Sequence, residues 1–305
     1  MTITKVEDEK AYNGDNFVCN IQSSEIENAT FLFYGFNVNG VDTVADIQTW
    51  NSDLSKLKAA GYMFSRSNLK SFTGDLTSLT RGYQMFNGSK LISFSEQMPK
   101  LVNAYMMFST PTFENFNVAT LPKLSNAEKM FYNTKMTSFT TDVPHLSNAN
   151  AMFMASNISN FNADISNLKT GYNMFSSSEG SSTGCPLSES SFTNIADKIK
   201  DISGLNKDDD SQWKYDTTKT DGTVNLNAGT ISYDYRGVIH LHCDSSLQTN
   251  YNIVAAMDKL ITKGWTPYLN GTLYEGGDST PTSTYYISEA NGNVQVTGSW
   301  YRNVA

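Results

Sequence analysis

Large apolar residues return along this chain at a fixed distance. Met-Phe pairs stand at 63/64, 85/86, 107/108, 130/131, 152/153 and 174/175, so successive steps are 22, 22, 23, 22 and 22 residues. Three residues before each Met is Ala or Gly: Ala60 or Gly61 in the loosest copy, then Gly82, Ala104, Ala127, Ala149 and Gly171. Three before that comes Leu79, Leu101, Leu124, Leu146 or Leu168. Five after the Phe stands Leu69, Leu91, Phe113, Met136 or Ile158, and three further on Phe72, Phe94, Phe116, Phe139 or Phe161 closes the unit. An internal period of about 20 to 50 residues indicates a solenoid, in which each unit buries its apolar face only by stacking on the next. The large residues then form ladders with one rung per unit, and the Ala/Gly column lets neighbouring backbones approach. The segment around the closing Phe is expected to be a short strand, paired in parallel with those above and below. At about 4.8 Å per strand, five steps span roughly 24 Å. Ser67, Ser89, Thr134, Ser156 and Ser178 form a polar column, interrupted by Pro111, whose hydroxyls are expected to bond buried backbone. Residues 28–41 read as a degenerate earlier copy, with Ala29 three before Leu32-Phe33, capping the first turn.

Beyond Ser176 the period dissolves. "SSSEGSSTGCP" reads as a flexible linker by composition. "SESSFTNIADKIKDISG" is an amphipathic helix with Phe192, Ile195, Ala196, Ile199 and Ile202 on one face, a Ser cluster at its start and Gly204 past its end. "NKDDDSQWKYDTTKTDG" reads as loop and "VIHLHC" as strand. "NYNIVAAMDKLITKGW" is a second helix, with Ile253, Ala256, Met257, Leu260 and Ile261 inward and Gly264 as its stop. Alternation around Asn291-Gly292 predicts a terminal β-hairpin. The fold class is α/β. It divides into an N-terminal anchor or cap (1–27), a repeat solenoid with short parallel strands (28–178), a small α+β unit (179–275) and a hairpin tail (276–305).

The 305 residues leave room for a sizeable core. A net charge of −8 with 17 % charged residues means that most polarity is uncharged Ser, Thr and Asn. No basic run exists, which argues against nucleic acid as a partner. Three separated cysteines, Cys19, Cys185 and Cys243, read as buried or free thiols of a reducing compartment. Neither a secretory leader nor an apolar run of about 18 residues is visible, so no membrane insertion is expected.

Catalytic motifs are not found: there is no G-x-S-x-G, no nucleophile-base pairing and no Gly-rich phosphate loop. His240 and His242 occupy alternate strand positions and would offer two imidazoles to zinc or nickel. A site needs a third ligand, and the only other histidine is His145, so no metal and no cofactor is expected. Asp208-Asp209-Asp210 lacks the spacing of a calcium loop. The residues flanking each closing Phe point outward if that Phe points inward. They are Ser71 and Thr73, Ser93 and Ser95, Asn115 and Asn117, Ser138 and Thr140, Asn160 and Asn162, two ladders of short neutral hydrogen-bonding groups. They support the sheet and are the candidate docking face for a glycan or a protein surface.

The spacing L-x-x-[AG]-x-x-M-F-x-x-[ST]-x-L-x-x-F, over about residues 28–178, resembles the BspA-like leucine-rich-repeat family. The succession after it, ending in Lys-Gly-Trp-Thr, is similar to the unit that follows such repeats in phage and prophage proteins. The resemblance implies binding and adhesion rather than catalysis. It points to a structural protein of a bacteriophage virion, in a tail or head fibre, assembled in the host cytoplasm. The implied partners are other virion proteins and a host-surface glycan or protein, with a homotrimer by analogy with fibres. The alternative is a bacterial cell-surface adhesin or an intracellular protein-interaction module.

Overall fold

A computed structural model of the chain describes residues 17–19, 25–38, 41–43, 47–277, 285–289 and 292–296. Its content is mixed α/β: short strand pairs, several of them parallel, two α-helices, and no sheet closed into a barrel among the described residues.

Every Met-Phe unit makes the same turn. The Met amide donates to the carbonyl of the small residue three before it, from Met63 to Ala60 (3.1 Å) through Met174 to Gly171 (2.9 Å). The residue between them, just before the Met, is left-handed though never glycine: Tyr62 (φ 58°), Gln84 (52°), Met106 (50°), Lys129 (54°), Ala151 (53°) and Asn173 (52°). Such a backbone costs on the order of 1 kcal/mol or more. It persists because it points the amide along the stack. Tyr62 donates to Tyr83 (2.9 Å), Gln84 to Tyr105 (2.8 Å), Met106 to Glu128 (3.0 Å), Lys129 to Asn150 (3.0 Å) and Ala151 to Tyr172 (2.8 Å), all to main-chain oxygens. The residues two to either side repeat the bond, as in Ala60 to Arg81 and Phe64 to Met85. Several net gains of about 1 kcal/mol per unit offset the strained turn.

The side chains follow this frame. Phe33, Phe64, Phe86, Phe108, Phe131, Phe153 and Phe175 lie face to face, with centroids 5.4 to 5.8 Å apart. The closing phenylalanines 72, 94, 116, 139 and 161 form a second stack at 5.8 to 6.3 Å, set at a steep angle to the first. Ala60, rather than Gly61, fills the small column, because its amide bonds Arg81 as Gly82 bonds Asn103. A Cβ on Gly82 would stand 2.4 Å from Met107 Sδ. Two further buried columns share the period: Leu57 joins the predicted leucines, and Leu54, Leu76, Met98, Leu121, Val143 and Ile165 add another. The extra residue of the 23-residue step falls between Phe116 and Leu121, on the way out of the strand. The ring spacing from Phe108 to Phe131 stays at 5.6 Å.

Strands form at the closing Phe, but their ladder is broken. β1 (Phe17–Cys19), β4 (Ile47–Asn51) and β5 (Ser71–Thr73) make one parallel sheet. β6 (Ser93–Phe94) pairs with β7 (Asn115–Phe116), and β8 (Ser138–Phe139) with β9 (Asn160–Phe161). The segment 28–51 stacks as an earlier unit: Phe33 meets Phe64, and Trp50 takes the closing-Phe register opposite Phe72. An antiparallel pair, β2 (Phe36–Val38) with β3 (Val41–Thr43), lengthens it. β1 pairs beyond this unit, so residues 28–41 are not the first rung; residues 1–16 and 20–24 of the expected N-terminal cap lie outside the described residues. In the polar column Ser67 and Ser156 donate to Phe64 O and Phe153 O as expected, whereas Thr134 is buried without a partner and Ser178 is exposed.

The C-terminal unit closes the far end. α1 (Glu189–Lys198) starts at the Ser188 cap and lies against β9. Ser188 N donates to Ser159 O, and Ser191 Oγ accepts from Phe161 N, which satisfies the open strand edge. α1 ends one residue before Ile199, whose extended backbone carries it and Ile202 into the core outside the helix. β12 (Val238–Leu241) pairs in parallel with β13 (Thr266–Leu269), which pairs with β14 (Thr272–Leu273), and α2 (Tyr251–Thr262) packs on α1. β12 also continues the main-chain bonding of the repeats, from Gly171 N to Val238 O (2.8 Å). The presumed linker is instead a bonded turn, with Ser176 bridging Gly184 and Cys185 buried. The presumed loop after Asn206 contains β10 (Lys214–Thr218), which pairs with β11 (Val224–Thr230). The terminal hairpin is present as β15 (Tyr285–Glu289) and β16 (Gly292–Val296); Asn291 lies outside the described residues.

Phe108 touches five other rings at 4.9 to 5.6 Å. Phe108→Ala should therefore lower unfolding stability in urea by about 3–5 kcal/mol, and exposed Asn115→Ala by less than about 0.5. Equal effects would contradict the packing described.

Candidate functional site

All ten residues of the predicted ladders are exposed: Ser71, Thr73, Ser93, Ser95, Asn115, Asn117, Ser138, Thr140, Asn160 and Asn162. The alternation that buries the closing Phe forces this, because strand neighbours point to opposite faces. The row begins one unit earlier than the repeat spacing suggests, since Thr49 and Asn51 pair in register with Ser71 and Thr73. Trp50 in "TWN" is the signal for it, hidden by the lengthened unit. Ser71 Oγ donates to Thr49 Oγ1 (3.3 Å) and Asn160 Nδ2 to Ser138 Oγ (3.0 Å). Lys198 of α1 bonds Asn162 Oδ1, so the face is covered in part at β9 and open toward β4. Lys70, Lys90, Lys135 and Glu114 border one side of it; Asp53, Asp75 and Glu96 border the other. Partial burial, and secondarily Asp75, holds the Glu96 carboxyl above its usual range.

A second concave feature is not legible in the sequence, where its roof reads as loop. The β10–β11 hairpin lies lengthwise along the repeat stack. Lys169 Nζ donates to Lys214 O (2.8 Å), Asp216 N to Ser125 Oγ (2.9 Å), and Thr80 Oγ1 reaches Gly222 O. At the tip, a Cβ on Gly222 (φ 85°) would stand 2.7 Å from Lys58 O, so the hairpin runs five repeat steps along the stack, from the unit of Lys58 to that of Lys169. Between hairpin and repeats runs a groove of about 420 Å³. Thr80, Val102, Ser125, Ser147 and Lys169 line it along one column, and Lys100, Lys123, His145 and Asn167 along the next.

The third feature is a row of half-exposed tyrosines. Tyr83 and Tyr105 stack at 4.8 Å, and Phe31 stacks on Tyr62 at 4.6 Å. Their faces are spent against one another. Gly61 stands where three of the other units carry Tyr83, Tyr105 and Tyr172, and the Arg81 guanidinium fills that gap, 4.8 Å from the Tyr83 centroid. Arg81 Nη1 is buried without a hydrogen-bond partner, and burial lowers the guanidinium pKa. Burial, and after it a bond to Tyr83, pushes the Tyr62 phenol up to about 12. Arg81 occupies a buried polar column in which Asn148 Nδ2 bonds Asn126 Oδ1 (3.1 Å) and Asn126 Nδ2 bonds Asn103 Oδ1 (3.4 Å).

His240 and His242 are both buried in β12. His240 lies between Tyr172 (4.8 Å) and Tyr268 (4.6 Å), with neither ring nitrogen bonded; His242 Nε2 meets Ser176 Oγ at 3.1 Å. Among the described residues no group of three His, Cys, Asp or Glu converges on a point that would hold a metal, and no helix is long and apolar enough to cross a membrane. Asp210 pairs with the buried Arg236.

No family model, curated protein or solved structure matches the chain.

Burial holds both β12 imidazoles neutral, with pKa values lowered from 6.5 to about 4. The unfolded chain takes up these protons near pH 6.5 while the native state refuses them until about 4. Their contribution is therefore complete above pH 6.5 and is lost progressively as pH falls toward 4. The urea midpoint should fall between about pH 7 and pH 5, and fall less in His240→Phe, whose ring needs no partner. An undiminished fall in that variant would contradict the assignment.

Proposed function

We propose that this chain is a non-enzymatic binding protein: a leucine-rich-repeat solenoid of the BspA-like kind, capped by its C-terminal unit. It presents the strand-face ladders to a host-surface glycan or protein as part of a bacteriophage virion. The observation that carries the reading is the register of the ladders. Ser71, Ser93, Asn115, Ser138 and Asn160 stand on successive stacked units, exposed and with few internal bonds. A rigid row of neutral donors and acceptors at constant spacing suits a repetitive or flat partner, and it loses little conformational freedom on binding. The virion assignment is supported by the repeat spacing and by the unit that follows it, ending in Lys263-Gly264-Trp265-Thr266. Partner virion proteins and assembly in the host cytoplasm belong to the same proposal.

The test is a glycan array together with binding to candidate host cells. The fourfold variant Ser93→Glu, Asn115→Glu, Ser138→Glu, Thr140→Glu changes only exposed positions. Binding should fall at least about tenfold while the melting temperature holds, because unpaired carboxylates on the face must be desolvated. Undiminished binding to cells and glycans would remove this face from the function.

A further inference from the structure

The groove beneath the β10–β11 hairpin concentrates charge that the fold does not neutralise. Lys100, Lys123, Lys169 and Lys214 line it with His145, against one carboxylate, Asp216. Lys200 stands at one end, bonding Asn167 Oδ1 at 3.1 Å. Among the described residues none of these five lysines is in an ion pair, although the chain carries a net charge of −8. The Asp216 carboxylate is engaged by Asn227 N (2.8 Å). Lys169 is half-buried, and its pKa is depressed by that burial and then by Lys200, with Asp216 opposing them in part. Cations gathered this way repel one another, so packing alone does not account for them. Lys100, Lys123 and His145 occupy the same place in consecutive units, hence their groups repeat at the rise of the stack.

We infer that this groove is a second binding site, specific for an unbranched glycan that carries carboxylates along its length. Charge complementarity selects a polyanion. The groove's size falls within the range of about 300–1,000 Å³ typical of small-ligand sites, enough for a short run of sugars. The floor favours sugar over an acidic peptide. Its backbone groups are consumed between units, as in Val102 N to Thr80 O, Ser125 N to Val102 O, Ser147 N to Ser125 O and Lys169 N to Ser147 O. An extended peptide held by main-chain bonds finds no free edge on that floor, and among the described residues the edge of β11 above it is the one main-chain edge the groove offers. Recognition falls to ammonium, hydroxyl and amide side chains, which match a chain of carboxylates and hydroxyls. Single-stranded nucleic acid would need a series of open aromatic faces, and among the described residues the groove offers one tyrosine ring, Tyr215, which lies against Gly229. The site is on a different flank from the strand-face ladders and does not depend on them.

The experiment is calorimetric titration of the full chain with an unbranched oligogalacturonate, a neutral oligosaccharide of equal length and poly-glutamate. The oligogalacturonate should bind, more weakly as salt rises, and the neutral chain should not. Lys100→Glu with Lys123→Glu, both exposed, should lower its affinity about tenfold. The fourfold strand-face variant should bind it unchanged, which separates this site from the proposed docking face. The inference is overturned if oligogalacturonate fails to bind, if the lysine variant binds as the parent does, or if the strand-face variant abolishes binding. It is overturned equally if poly-glutamate binds as tightly, which would make the groove a site for acidic peptide.

Discussion

One aromatic ring per repeat, laid face to face on the next, sets the geometry of most of this molecule. The seven-ring column holds a spacing of 5.4 to 5.8 Å from Phe33 to Phe175. That spacing keeps adjacent backbones within hydrogen-bond reach. In five of the six units the left-handed residue before the Met is tolerated because its amide then finds a carbonyl in the next unit. Neither device stands alone. Without the rings the strained turns have no reason to align, and without the turns the rings have no fixed height.

The constraint explains what varies. An additional residue after Phe116 and the nine-residue-longer unit that carries β2 and β3 are both placed away from the ring column, and the ring column is undisturbed by them. It also explains Arg81. Where Gly61 leaves the tyrosine row empty, a planar cation from the next unit fills the space, at the expense of a buried group without a partner.

The sequence displays the part of this that repeats. Met-Phe, the small column, the closing Phe and the exposed ladders are all visible because one substitution pattern recurs at a fixed step. Parts that occur once are harder to see. Trp50 was hidden by the inserted strands, and the β10–β11 hairpin by a run of Asp, Lys and Thr that carries no alternation of apolar and polar residues. The groove follows from that hairpin, so it was invisible for the same reason, although Lys100, Lys123 and His145 already share the repeat step. The buried Asn103, Asn126 and Asn148 column was also legible by period, yet asparagine reads as surface until the inter-unit amide bonds are seen.

The functional proposal rests on the same regularity: a row of identical environments at constant rise offers a repetitive partner identical contacts. Whether the row exists in solution is settled by native-state hydrogen exchange. The account predicts that the amides of Phe64, Phe86, Phe108, Phe131 and Phe153, each donating to the following unit, exchange at the slowest rates in the chain. They should do so as one group, recurring at the repeat step, with the intervening exposed connections exchanging freely. Rapid or scattered exchange at those five amides would contradict the stacked architecture and the reading built on it.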